Sequence, residues 1–101
     1  MNTNKEKALA SCAAEVYRAG VKLQNIEADL IRIQCHEIAE TCDEGAIKYY
    51  YRMAMHLEYM KFALAMNAGE MFAKHQCYFI NQKENFELAY SDVCKFIQEN
   101  A

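Results

Sequence analysis

The chain has 101 residues, enough for one domain with a modest hydrophobic core. It contains no proline and only three glycines, which disfavours a β-protein with many tight turns, whereas its frequent Ala, Glu, Lys, Met, Leu and Gln residues favour helix. The net charge of −3 is not the basic field typical of nucleic-acid-binding proteins. We therefore expect a single all-α domain over residues 1–101, built as an elongated helix bundle.

The first helical pattern runs from the polar N-terminus to about Glu40. Thr3 and Glu6 have the spacing of a capping box, which predicts a helix start. Two apolar lines with a seven-residue repeat follow, as in a helix that lies along another helix. These lines are Leu9, Val16, Leu23 and Leu30, and Cys12, Ala19, Ile26 and Ile33. Gly20 weakens this helix by about 1 kcal/mol relative to alanine, and close approach of a neighbouring helix is one reason to retain it.

A second helix is predicted after a turn at residues 40–43. Thr41 and Glu44 have capping-box spacing, and so short a turn makes the first two helices antiparallel neighbours. The stretch 46–80 holds five of the six methionines and five of the seven tyrosines. One apolar face of this helix has two lines with heptad spacing, Tyr50, Leu57, Leu64 and Met71, and Met53 and Met60. A further line, on another face, comprises Tyr51, Met55, Tyr59, Phe62 and Met66. Both faces must be covered.

The length of the second helix depends on Asn67-Ala68-Gly69, which has the composition of a helix C-terminus. If the helix continues to about Ile80, it matches the first in length, at ~50–55 Å, and we favour this long antiparallel hairpin. If it stops at Gly69, residues 70–80 form a separate short helix in a more compact bundle. Asn81 and Glu84 then open a last helix over 82–99. Its apolar stripe comprises Phe86, Ala89, Tyr90, Val93 and Ile97.

In the favoured architecture the last helix covers only the far end of the hairpin. The uncovered end comprises Tyr49, Tyr50, Tyr51, Met53, Met55 and Tyr59. Exposed patches rich in tyrosine and methionine are typical of protein–protein contacts. We therefore predict a non-catalytic protein-binding module, such as an adaptor, small chaperone or inhibitor, which forms a homodimer or binds another protein. The predicted binding residues are Tyr49, Tyr51, Arg52, Met55 and Tyr59. The alternative is that these residues are ordinary core.

Metal binding is the alternative function. The candidate ligands for zinc or copper are Cys35, His36, Cys42, His56, His75 and Cys77, with methionines as additional soft donors for copper. Their spacings match neither a zinc finger nor the Glu-x-x-His motif of di-iron helix bundles. We therefore predict no metal site and no cofactor.

Motifs of other enzyme classes, such as a glycine-rich phosphate loop or GxSxG, do not occur. Arg52 and His56 are closer in sequence than the Arg and His of HEPN-type helical RNases. Together with Lys48, they indicate a solvated basic strip.

The five cysteines lack a CxxC pair and are predicted to be reduced and mostly buried. No signal peptide or transmembrane stretch is evident. We expect a reducing cytoplasm, without nucleic acid or membrane as partner.

Overall fold

The computed structural model describes residues 3–33 and 44–101. This part of the chain forms three helices, α1 (Thr3–Arg32), α2 (Glu44–Ala65) and α3 (Gly69–Asn100). The predicted all-α helix bundle is therefore confirmed. The predicted end of the first helix near Glu40 and the turn at 40–43 lie outside the described residues. The Cα atoms extend over 51 × 17 × 16 Å along the principal axes. A helix as long as α3 extends about 48 Å, so the helices run along the long axis.

Helices α2 and α3 are antiparallel. Gly45, near the start of α2, lies opposite Ala89 near the end of α3. His56, in the middle of α2, contacts His75 in the first half of α3. Residue numbers on α3 therefore fall as those on α2 rise. This pair of helices forms the most extensive packing in the bundle.

Helices α1 and α3 are parallel. The amino group of Lys5 lies 5.8 Å from the ring centroid of Phe72, and that of Lys22 lies 5.2 Å from the ring centroid of Tyr90. The residue numbers of contacting residues thus rise together along α1 and α3. The bundle is up–down–up, with α2 antiparallel to both of its neighbours.

The core follows the seven-residue repeats. In α1, the two predicted lines are confirmed: Cys12, Ala19, Leu23, Ile26 and Leu30 are buried, and Leu9, Val16 and Ile33 pack against them half-buried. Helix α2 buries Met53, Leu57 and Met60 from its predicted heptad lines. Helix α3 buries Phe72, Phe79, Phe86 and Val93, which are spaced by seven along its whole length. Three matched apolar stripes therefore meet on the bundle axis.

The predicted continuation of the second helix to Ile80 is wrong. Helix α2 ends at Ala65, and Asn67 adopts a left-handed conformation with φ of 55°. The N–H of Ala68 donates to the carbonyl of Ala63 (2.8 Å), and the N–H of Asn67 donates to the carbonyl of Leu64 (3.1 Å). These are the two hydrogen bonds of a Schellman motif. Asparagine tolerates this conformation better than most residues that carry a Cβ.

The separate short helix over 70–80 and the helix start at Asn81 are also wrong. Helix α3 begins at Gly69 and continues through Asn81 without interruption. Phe79 and Phe86, on either side of Asn81, bury the same face of α3. Ending the helix between them would take one of these rings out of the core. Burial of this face therefore outweighs the local capping preference of Asn81.

Gly20 lies where α1 approaches α2. A Cβ atom added there would lie 3.3 Å from the hydroxyl oxygen of Tyr50, which is a tight contact. The close helix approach inferred from the sequence is therefore confirmed at Gly20.

Among residues 3–33 and 44–101, no helix combines the length and the apolarity that crossing a membrane requires.

Candidate protein-binding face

One line of apolar side chains on α2 is not covered by the rest of the bundle. This line, termed the α2 face, comprises Tyr51, Met55, Tyr59, Phe62 and Met66, of which Met66 directly follows the helix. Their exposed fractions are 66%, 45%, 43%, 56% and 64%. Residues three or four apart share one side of a helix, and this line extends over about 22 Å. Within the described chain, only one of the two apolar faces of α2 is covered.

A groove of about 560 Å³ lies on the α2 face. Its lining comprises Met55, Glu58, Tyr59 and Phe62 from α2, and Met71 from the start of α3. Glu58 is the charged member of this lining, and its carboxylate accepts a 2.9 Å hydrogen bond from Lys61. Methionine side chains are flexible and polarisable, so they adjust to the shape of a bound group. The groove is therefore an apolar, adaptable concave surface.

The five predicted binding residues occupy three different environments. Tyr51, Met55 and Tyr59 belong to the α2 face. Arg52 is exposed beside it, whereas Tyr49 is half-buried and packs against the core. The guanidinium of Arg52 lies 5.9 Å from the ring centroid of Tyr49, within the range of a cation–π contact. The binding role of all five residues remains a prediction.

Two further residues of the predicted uncovered end are not exposed. Met53 is buried in the core with 1% exposure, and Tyr50 is half-buried against Gly20. The predicted reason for the exposure of this end, a last helix that covers only the far end of the hairpin, is therefore wrong. Helix α3 has 32 residues and covers α2 as far as Gly45, which lies opposite Ala89. The α2 face is exposed because its side chains point away from the core, not because α3 is too short.

Two histidines meet at the border between α2 and α3. The Nδ1 atoms of His56 and His75 are 3.0 Å apart, and the ring centroids are 5.2 Å apart. The two nitrogens therefore point at each other, as in an N–H···N hydrogen bond between neutral rings. Burial lowers the pKa of His56 below its usual value, and electrostatic repulsion of its added proton by His75 and Arg52 lowers this pKa further.

Aromatic rings join this histidine pair to the α2 face. Tyr59 stacks on His75 with centroids 4.6 Å apart, and the ring of Tyr78 lies 5.3 Å from that of His56. The amino group of Lys74 lies 5.8 Å from the centroid of Tyr78. The α3 side of the α2 face is thus bordered by cationic or protonatable groups. The residues that form this basic edge are Arg52, His56, Lys74 and His75.

The basic edge was only partly visible in the sequence. The strip formed by Lys48, Arg52 and His56 follows from their spacing on one helix. His75 and Lys74 join it only because the chain reverses at Asn67 and α3 returns along α2. The left-handed preference of asparagine at position 67 is the local signal for this reversal, and the prediction of a continuous helix did not use it.

The structure brings together one pair of the candidate metal ligands. Cys35, His36 and Cys42 lie outside the described residues. His56 and His75 come together, whereas Cys77 is exposed, unlike the mostly buried cysteines predicted from the sequence. Among residues 3–33 and 44–101, no three His, Cys, Asp or Glu side chains are grouped so that they could hold a metal ion.

Comparisons of the chain with models of protein families, with curated proteins and with solved structures find no match. Function is therefore inferred from the α2 face, its groove and the basic edge. Adaptable apolar side chains bordered by cationic groups are suited to binding a macromolecular surface.

Proposed function

We propose that the protein is a non-catalytic protein-binding module, acting as an adaptor, chaperone or inhibitor through the α2 face. The observation that carries this proposal is the exposure of five apolar side chains in one continuous line. Single exposed apolar residues are normal on protein surfaces, but a continuous patch is typical of an interaction site. The groove at Met55 and Phe62 adds a concave surface that a partner side chain can enter.

The homodimer predicted from the sequence is the second candidate assembly, because the apolar α2 faces of two copies can bury each other around a two-fold axis. We also place the protein in the cytoplasm. Cys12, Cys77 and Cys94 are free thiols, and free thiols are stable in a reducing compartment.

Site-specific photo-crosslinking tests the proposed binding face. The full chain would carry benzoylphenylalanine in place of Tyr51 or Phe62 and be expressed in its source cells. We expect a discrete crosslinked product from both positions. The control position is Tyr17, which is 74% exposed on α1 and lies outside the α2 face, and we expect no such product there. Met55→Asp should abolish the product, because it places a carboxylate in the apolar groove.

Leu88→Asp is the matched control for Met55→Asp, since Leu88 is 68% exposed on α3. Both substitutions are at exposed positions and should change the free energy of unfolding by no more than ~0.5 kcal/mol. Identical products from all three crosslinking positions would contradict the proposal, as would a product that persists in Met55→Asp. If instead Tyr51 and Tyr59 act as core, Tyr51→Ala and Tyr59→Ala will lower stability and leave binding unchanged.

A further inference from the structure

We infer that the partner segment bound at the α2 face is an acidic amphipathic helix of another protein. Its apolar side would lie in the groove, and its carboxylates would lie along the basic edge. This inference rests on the proposed protein-binding function and adds the chemical class of the partner.

The shape of the α2 face fits a single helix. The exposed line from Tyr51 to Met66 is about 22 Å long, which corresponds to about four turns of a partner helix. Met71 contributes to the groove from α3, so a helix lying there contacts two helices of the bundle. Amphipathic helices bind such grooves through apolar residues three or four positions apart. The methionines at 55, 66 and 71 adapt to the side chains that enter.

The charge around the α2 face is positive. Arg52 and Lys74 are exposed on the α3 side and carry this charge, which Glu70, one helical turn before Lys74, offsets in part. On the opposite side, Glu58 is paired with Lys61 and adds no net negative charge. Residues 45–80 carry four basic and two acidic side chains in a chain whose net charge is −3. The positive charge is therefore local to this surface, where it attracts carboxylates.

The same charge disfavours a second copy of this chain as the occupant. In a two-fold symmetric dimer, the same patch of both subunits forms the interface. A dimer through two α2 faces would bring together two surfaces that both carry positive charge. An acidic helix supplies carboxylates that neutralise this charge, whereas a second α2 face supplies few. Like charges across an interface lower affinity, whereas complementary charges increase the association rate and the specificity.

Three labelled peptides test the inference by fluorescence anisotropy with the full-length protein. The first is an amphipathic helix of about 18 residues, long enough to cover the α2 face, with leucine on one side and glutamate on the other. The second keeps the leucines and replaces every glutamate by lysine. The third has the composition of the first in a scrambled order. We expect the first to bind at least about ten-fold more tightly than the others, and added salt to weaken it.

A charge-reversed protein separates the effect of charge from that of folding. Arg52 and Lys74 are both exposed, so Arg52→Glu/Lys74→Glu should leave the helix content unchanged. This variant should prefer the lysine peptide over the glutamate peptide. Lys95→Glu, an exposed substitution near the opposite end of α3, is the matched control and should keep the wild-type preference.

The alternative outcomes distinguish this inference from the proposed function. Equal binding of the glutamate and lysine peptides would overturn the acidic partner and leave binding at the α2 face in place. A stable dimer in sedimentation velocity, dissociated by Phe62→Ser and unable to bind any peptide, would overturn it in favour of a second copy. A monomer that binds no peptide and gives no crosslink from Tyr51 or Phe62 would overturn both.

Discussion

The packing of α1 against α2 depends on how closely Gly20 approaches Tyr50. In an isolated helix, Gly20→Ala would gain about 1 kcal/mol of helix propensity. In the bundle, the added methyl group would lie 3.3 Å from the Tyr50 hydroxyl oxygen, tighter than most Cβ contacts in proteins. The half-buried ring must shift to admit this methyl group. We therefore expect the gain to be offset, so that Gly20→Ala does not raise the free energy of unfolding.

Removing the hydroxyl group of Tyr50 should restore the stability that Gly20→Ala gains from helix propensity. The next-nearest atoms of Tyr50 are Cε2 at 3.5 Å and Cζ at 3.7 Å, which are ordinary contact distances. In a Tyr50→Phe background, Gly20→Ala should therefore stabilise the protein by about 1 kcal/mol and raise Tm by roughly 4–8 °C. The two substitutions should show a favourable coupling energy of about 0.5–1 kcal/mol.

Urea unfolding of the wild type, both single variants and the double variant, followed by far-UV circular dichroism, measures this coupling. Gly45→Ala is the control, because its added Cβ would meet Ala89 at an ordinary 3.7 Å. Its effect should be the same in the wild type and in the Tyr50→Phe background. If Gly20→Ala stabilised these two backgrounds equally, the hydroxyl contact would not limit the packing of α1.

Three further predictions concern the core, the histidine pair and the helix reversal. Phe79→Ala should lower the free energy of unfolding by about 3–5 kcal/mol, because the ring is buried in the core; a loss below about 1 kcal/mol in urea unfolding would contradict this. The pKa of His56 is lower in the folded chain than in the unfolded chain. The neutral ring therefore contributes fully to the free energy of unfolding above the unfolded pKa, and this contribution is lost as the pH decreases toward the folded pKa. His56→Gln should flatten this dependence in thermal melts between about pH 7.5 and 5, and an unchanged profile would refute the assignment. Asn67→Val should destabilise by at least about 1 kcal/mol and Asn67→Gly by far less, because φ is positive there; equal melting temperatures would rule out the left-handed turn.

The sequence predicted the core more reliably than the path of the chain. The repeat of Leu23 and Leu30 with Ile26 identified the buried side of α1, because apolar residues at this spacing lie on one side of a helix. The helix ends were harder to predict. Asn67 ends α2, whereas Asn81 lies inside α3, although both have the local preferences of a helix terminus. The two asparagines differ in their tertiary packing, because a helix break at Asn81 would interrupt the buried seven-residue repeat of α3.

The candidate site was predictable only where it lies on one helix. Tyr51, Met55 and Tyr59 share a face of α2 by spacing, and their exposure is observed. The contact of His56 with His75 joins residues from two helices, and no periodic pattern on either helix indicates it. Such contacts depend on the antiparallel register of α2 and α3, which the reversal at residues 66–68 sets.

This reversal also has a consequence for the order of folding. Closing a loop of a few residues costs little conformational entropy, so α2 and α3 can pair soon after they form. Helix α1 joins the bundle through contacts between residues more distant in the chain, such as Gly20 with Tyr50 and Lys22 with Tyr90. We therefore expect the α2–α3 hairpin to assemble first and α1 to dock last. Helix α1 is then the part of the bundle that can detach and return while the hairpin stays paired.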